Sequence, residues 1–128
     1  IRQSFLDAAE ELAGQNSGKK KNFEDVIQYI QENYGVYELS LKMIADEMHI
    51  SYKYLSDVFK KETGKNFLEY VHDVRNRKAK ELLVTTEISI AQIGEQVGFL
   101  SSNTFIKTFK KLNGVTPGEF RKNYRIEA

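Results

Sequence analysis

Residues 41–70, LKMIADEMHISYKYLSDVFKKETGKNFLEY, return in chemical outline as residues 90–120, IAQIGEQVGFLSSNTFIKTFKKLNGVTPGEF. Leu41, Ile44, Ala45, Met48 and Ile50 recur 49 residues later as Ile90, Ile93, Gly94, Val97 and Phe99. After one inserted residue the offset becomes 50. Leu55, Phe59, Lys60, Lys61, Gly64, Glu69 and Tyr70 then recur as Phe105, Phe109, Lys110, Lys111, Gly114, Glu119 and Phe120. Agreement in polarity over about 30 residues with one gap marks a duplicated supersecondary unit rather than chance. Helical spacing of the apolar residues, a single proline (Pro117) and the lack of strand alternation predict an all-α chain.

Each copy predicts a short helix, about Leu41–Met48 and then Ile90–Val97, a tight turn and a longer helix. In the first turn, His49-Ile50-Ser51, Ser51 is placed as N-cap of the longer helix. In the second, Gly98-Phe99-Leu100-Ser101, Gly98 can supply a left-handed residue. The small Ala45 and Gly94 fit where two helices cross closely, as in a helix-turn-helix. Between the copies, Phe67 to about Thr85 reads as one connecting helix, apolar at Phe67, Val71, Val74, Ala79, Leu82 and Leu83. Its length is about 27 Å at the helical rise. Val84-Thr85-Thr86 ends it, and Ser89 is the next cap.

Upstream, Asn22 is expected to cap a helix from Phe23 to Asn33, apolar at Val26, Ile27, Ile30 and Tyr34 and stopped by Gly35. A further short helix is expected over Ile1–Ala13, and Gly14 to Lys21 reads as a solvated linker. The expected layout is an N-terminal helix and linker (1–22), a first helix-turn-helix subdomain (23–66), the connecting helix (67–86) and a second subdomain (87–128). The opening Ile1-Arg2-Gln3-Ser4 carries no secretory signal, and a start without Met predicts a part of a longer protein.

Composition narrows the function. With 41% apolar and 29% charged residues the chain reads as an ordinary globular domain, and no apolar run is long enough to span a bilayer. Zero cysteines exclude disulfides and thiolate metal sites and suit a cytoplasmic location. The net charge of +1 conceals −3 over residues 1–39 and +4 over residues 40–128. That balance is compatible with a polyanion partner but does not require one. The two histidines, His49 and His72, stand singly, at a turn and at an expected exposed helix position. Neither belongs to a metal-ligand cluster or catalytic constellation, and no phosphate-cradling glycine loop is present. No enzyme, metal or cofactor is therefore expected.

In a helix-turn-helix the second helix lies in the major groove with its first turns against base edges. With Leu55, Val58 and Phe59 turned to the core, Tyr52, Lys53, Ser56, Asp57 and Lys60 occupy the opposite stripe. With Phe105, Thr108 and Phe109 inward, Ser102, Asn103, Ile106, Lys107 and Lys110 lie outward. Asn103 can pair with adenine, Lys53 and Lys107 can donate to guanine, and Ile106 can pack on a thymine methyl. Singly, such residues are most often solvated surface; their recurrence on both copies favours contact with bases or backbone. Tyr52 and Ser102 could equally touch phosphates. Backbone anchoring is expected from the helix starts at Ser40 and Ser89, assisted by Lys60, Lys110 or Arg121.

These residues resemble the AraC family of bacterial transcription regulators. Ile50 through Gly64 is similar to that family's first recognition helix and its exit turn. Ile90 through Phe99, Phe105, Phe109-Lys110-Lys111, Gly114 and Thr116-Pro117-Gly118-Glu119-Phe120-Arg121 resemble its second module. Arg75 and Ala79 match residues of its connecting helix, so the resemblance spans roughly residues 23–125. It implies two homeodomain-like three-helix units entering adjacent major-groove segments on one DNA face. A connecting helix of about 27 Å against a DNA turn of about 34 Å puts half-site centres about 10 bp apart, or the DNA bends to bring them into register, and the differing stripes make the site asymmetric. By position, base contacts would fall on Lys53, Ser56, Asp57, Ser102, Asn103 and Lys107. Asp57 stands where the family often has arginine, and would instead accept from cytosine N4. Gly94 replaces the usual alanine, at about 1 kcal/mol of helix propensity. Double-stranded DNA is the implied partner, RNA polymerase is expected in the full-length protein, and this chain is expected to be monomeric. A helical protein-interaction module is the competing class, and an RNA-stacking platform is not evident among the aromatic residues.

Overall fold

A computed structural model describes residues 23–125. The N-terminal helix and linker expected over residues 1–22, the Asn22 cap included, lie outside the described residues. Among the described residues there are seven helices and no strand. They are α1 (Phe23–Asn33), α2 (Leu41–Met48), α3 (Tyr52–Thr63), α4 (Phe67–Thr85), α5 (Ile90–Gln96), α6 (Ser102–Asn113) and α7 (Pro117–Tyr124). The all-α reading and the helix-turn-helix pairs α2–α3 and α5–α6 agree with the sequence, except that Val97 caps α5 instead of ending it.

Local chemistry sets the boundaries. Hydroxyls of Ser40, Ser51, Ser89, Ser101 and Thr116 accept the N3 amides of α2, α3, α5, α6 and α7 at 3.0–3.2 Å. Each satisfies an amide that helix geometry leaves without a carbonyl partner. Reciprocal side-chain and backbone bonds close Asn66–Glu69 at the start of α4 and Thr116–Glu119 at the start of α7. These two boxes sit 50 residues apart, so the repeat extends into the third helix of each copy. Gly64 and Gly114, with φ of +75° and +81°, end α3 and α6 alike, each donating to the carbonyl of Lys60 or Lys110. The turn after α2 is left-handed at His49, with φ of +59°, a conformation that histidine adopts more readily than most side chains.

The described chain divides into two compact units. The first comprises residues 23–33 and 38–71, the second residues 34–37 and 72–125, so the border falls inside α4. In the first unit Phe59 is the hub. Its buried ring meets Phe23, Phe67 and Tyr70 edge-on at 5.3–5.8 Å, and Val26, Ile30, Ile44, Ala45 and Leu55 are buried in the same unit. Edge-to-face contact adds to what area burial alone provides. In the second unit Ala79, Leu83, Ile93, Val97, Phe105 and Phe109 form one buried cluster. Phe99, Phe105, Phe109, Phe120 and Tyr124 continue through it as successive ring pairs at 4.7–5.9 Å.

Gly94 does more than lower the helix propensity of α5. A Cβ built on it would lie 2.9 Å from Phe105 Cδ2 and 3.0 Å from Phe105 Cβ and Cγ. The missing methyl therefore lets Phe105 into the crossing of α5 and α6. The first unit fills the same place with Ala45 and the smaller Leu55, both buried.

His72 corrects the sequence reading, which placed it in solvent. Its ring is half-buried and stacks on Phe99 at 6.3 Å and 27°. Burial lowers its pKa, the Arg75 charge lowers it further, and Asp73 opposes more weakly. A depressed histidine pKa gives stability that is complete above the unfolded value of about 6.5 and lost as pH falls through the folded value. The denaturation midpoint of the second unit should therefore fall between about pH 7.5 and about pH 5.5, the window in which only imidazoles titrate ordinarily. His72→Gln should remove that part of the slope. An unchanged slope in the variant would put the ring in free solvent.

Candidate nucleic-acid interface

Each unit carries its polar stripe on the helix that follows the tight turn. On α3, Tyr52, Lys53, Asp57 and Lys60 are exposed and Ser56 is half-buried. On α6, Asn103, Lys107 and Lys110 are exposed, whereas Ser102 and Ile106 are half-buried. At a spacing of three or four residues, positions 53, 56, 57 and 60 share one helix face, and so do 103, 106, 107 and 110. At the repeat offset of 50 the two stripes pair as Lys53 with Asn103, Ser56 with Ile106, Asp57 with Lys107 and Lys60 with Lys110. Three of the four pairs differ, and the first stripe carries a formal +1 against +2 on the second, counting Lys53, Asp57 and Lys60 against Lys107 and Lys110.

The expected anchors are placed unequally. The hydroxyls of Ser40 and Ser89 accept from Met43 and Gln92 amides, and the Ser89 amide donates to Gln92 Oε1. Helix geometry leaves the first two amides of α2 and α5, at Leu41, Lys42, Ile90 and Ala91, without an intrahelical acceptor. Lys110 faces Glu119, whose carboxyl is held below its usual pKa by hydrogen bonds to Thr116 and, more weakly, by the Lys110 charge. Arg121 is engaged within the fold: Nε donates to the Leu83 carbonyl at 3.0 Å and a terminal nitrogen to that of Thr86 at 3.2 Å. Two of its donors thus close the end of α4.

Sequence reading missed the residues that hold these faces in place. Arg75, buried, donates from Nε to the Tyr34 carbonyl at 2.8 Å and from a terminal nitrogen to that of Val36 at 2.9 Å. Tyr34 and Val36 are related to Leu83 and Thr86 by 49 and 50 residues, so two arginines clamp carbonyls at related helix ends. The arginines themselves lie 46 residues apart, off the repeat offset, so the repeat offered no signal for them. Leu100, the residue inserted in the second copy relative to the first, stands 74% exposed immediately before the α6 cap.

Comparison with known proteins agrees with this geometry. A family model described as a helix-turn-helix domain matches residues 44–123. The chain is 36% identical over 126 residues to the uncharacterized HTH-type transcriptional regulator YtdP of Bacillus subtilis, covering 98% of this chain and 16% of that protein. It is 35% identical over 97 residues to the arabinose operon regulatory protein of Salmonella typhimurium, covering 76% of this chain and 34% of that protein. Among solved structures, the C-terminal domain of the two-component response regulator yesN from Fusobacterium nucleatum matches with a TM-score of 0.73 at 40% identity, over 77% of this chain and 95% of that chain. The chain spans less than two thirds of the length of these curated relatives. Among the described residues no helix is long and apolar enough to cross a membrane. With the match running from within α2 to α7, across both turns and both following helices, the chain belongs to the AraC-type helix-turn-helix family of transcription regulators.

Proposed function

We propose that the chain reads double-stranded DNA sequence-specifically, as the DNA-binding part of a bacterial transcription regulator. The observation that carries this reading is the position-by-position correspondence of two exposed stripes, each on the helix after a tight turn. The first turns of α3 and α6 each face base edges in the major groove. Lys53 and Lys107 donate to guanine, Asn103 pairs with adenine, Asp57 accepts from cytosine N4 and Ile106 packs on a thymine methyl. Ser56 and Ser102 complete the base-facing set. Lys60, Lys110, Tyr52 and the free amides beyond Ser40 and Ser89 hold phosphates, with Arg121 a lesser contributor. Since the stripes differ, the two half-sites differ, and one chain with two reading heads occupies the site as a monomer. RNA polymerase is the proposed partner in the longer protein.

Selection of bound duplexes from a random library, followed by titration of two variants, tests this reading. Asn103→Ala should cost about 1–3 kcal/mol on the selected duplex and little on random DNA. Lys110→Gln should weaken both alike and flatten the salt dependence by about one unit. A library that shows no enrichment, together with binding indifferent to salt, would replace DNA reading by protein interaction.

A further inference from the structure

The far end of α6 is tied to α4 by two side-chain amides. Asn113 Nδ2 donates to Asn76 Oδ1 at 2.7 Å, and Asn76 Nδ2 donates back to Asn113 Oδ1 at 3.2 Å. Asn113 Nδ2 also reaches the Phe109 carbonyl at 2.9 Å, one turn back on its own helix. All of these atoms are partly buried and belong to the second unit. At the offset of 49 that relates Tyr34 to Leu83, and of 50 beyond Leu100, the corresponding positions of the first unit are Ile27 and Thr63. Ile27 has no side-chain donor, and the Thr63 hydroxyl bonds locally, to the carbonyls of Phe59 and Lys65. Only the second copy therefore uses a reciprocal amide pair at this place.

An apolar contact tolerates sliding and rotation, whereas a pair of opposed amides fixes distance and orientation together. The pair sits at one end of α6 and Asn103 at the other. Ten residues of helix separate them, about 15 Å, so a tilt of about 5° at the tie would move the reading end by about 1.3 Å. That displacement is enough to spoil a bidentate contact with a base, while a phosphate contact through a long lysine tolerates it.

The geometry points to Asn76 and Asn113 as positioning residues that set the tilt of α6 and thereby the base discrimination of the second module. This role presupposes that α6 reads bases, and neither asparagine touches DNA itself. The aromatic packing of Phe105 and Phe109 holds the helix in place, and the amide pair selects its angle.

The test compares the unmodified full chain with Asn76→Asp, with Asn76→Ile/Asn113→Thr (the residues of the first unit) and with Asn103→Ala. Each is titrated on the library-selected duplex, on the same duplex with its second half-site scrambled, and on random DNA, with melting recorded in parallel. The double variant should bind the selected duplex about five- to tenfold more weakly and random DNA within about twofold, the range expected for lost alignment of one bidentate contact. Its loss should vanish on the scrambled second half-site. Asn76→Asp keeps the bond from Asn113 but cannot return one, so it should show an intermediate loss, and it decides the question if the double variant does not fold. Equal weakening on all three duplexes, or unchanged discrimination in Asn76→Asp and the double variant, would overturn the role. If Asn103→Ala retains full discrimination as well, base reading by α6 is what fails; if Asn103→Ala loses it and the amide variants do not, only the positioning role fails.

Discussion

Replacing Gly98 by alanine is expected to cost about 3–5 kcal/mol and leave the second unit largely unfolded at 37 °C, the sum of backbone strain and broken buried hydrogen bonds. Gly98 has φ of +103°, beyond the left-handed region that side chains occasionally adopt. A Cβ there would stand 2.6 Å from the Tyr34 carbonyl oxygen, 2.7 Å from Arg75 Nε and 2.8 Å from Arg75 Cζ. Those atoms form the Arg75–Tyr34 hydrogen bond, so the methyl group would occupy the place of the clamp. Burial already lowers the pKa of this guanidinium, which marks how much water it has given up. Losing its two carbonyl partners would strand a buried cation. Thermal melting by circular dichroism checks this: a Gly98→Ala midpoint within a few degrees of the parent would mean that the turn can rearrange.

Phe59→Ala should be comparably severe for the first unit, at about 3–5 kcal/mol. Phe59 is 1% exposed and meets three aromatic rings, so truncation removes a large buried area and leaves a cavity edged by Phe23, Phe67 and Tyr70. Those rings are fixed to two helices, Phe23 to α1 and Phe67 and Tyr70 to α4, and cannot all move inward. Phe59→Leu, which keeps most of the volume, should lose less than half as much. Equal losses in the two variants would show that ring geometry, and not volume, holds this core together. Denaturant titration followed by tyrosine fluorescence separates the outcomes.

The repeat was legible in the sequence because it is written in local signals. Ser51, Ser89 and Gly98 act within three or four residues of themselves, so caps and turn follow from residue type. The two stripes were legible for the same reason, since helix periodicity assigns a face once the core positions are known. Contacts between distant segments were not legible. Arg75 reaches carbonyls 41 and 39 residues away, and Asn76 a partner 37 residues away. A buried arginine and a solvated one look the same in a helical sequence. The misplacement of His72 has a related cause. α4 supplies Val71 to the first unit and Val74, Arg75, Ala79 and Leu83 to the second, so no single apolar stripe marks its dry side. Gly94 read as a weakness because its value lies in the ring of Phe105, eleven residues on.

Set side by side, the two stripes also record how the copies have drifted apart. The residues that build the frame, Ser51 and Ser101, Phe59 and Phe109, Gly64 and Gly114, are the same in both copies, whereas Lys53 and Asn103, Ser56 and Ile106, Asp57 and Lys107 are not. Substitution at those six outward positions disturbs no cap, clamp or core ring. Lys60 and Lys110 are identical in both copies. If the stripes read DNA as proposed, selection after duplication could rewrite each half of the recognised sequence separately, on a frame of shared caps and core rings. Under that reading a new target is acquired through a few surface substitutions in one half while the other half keeps the protein on the chromosome.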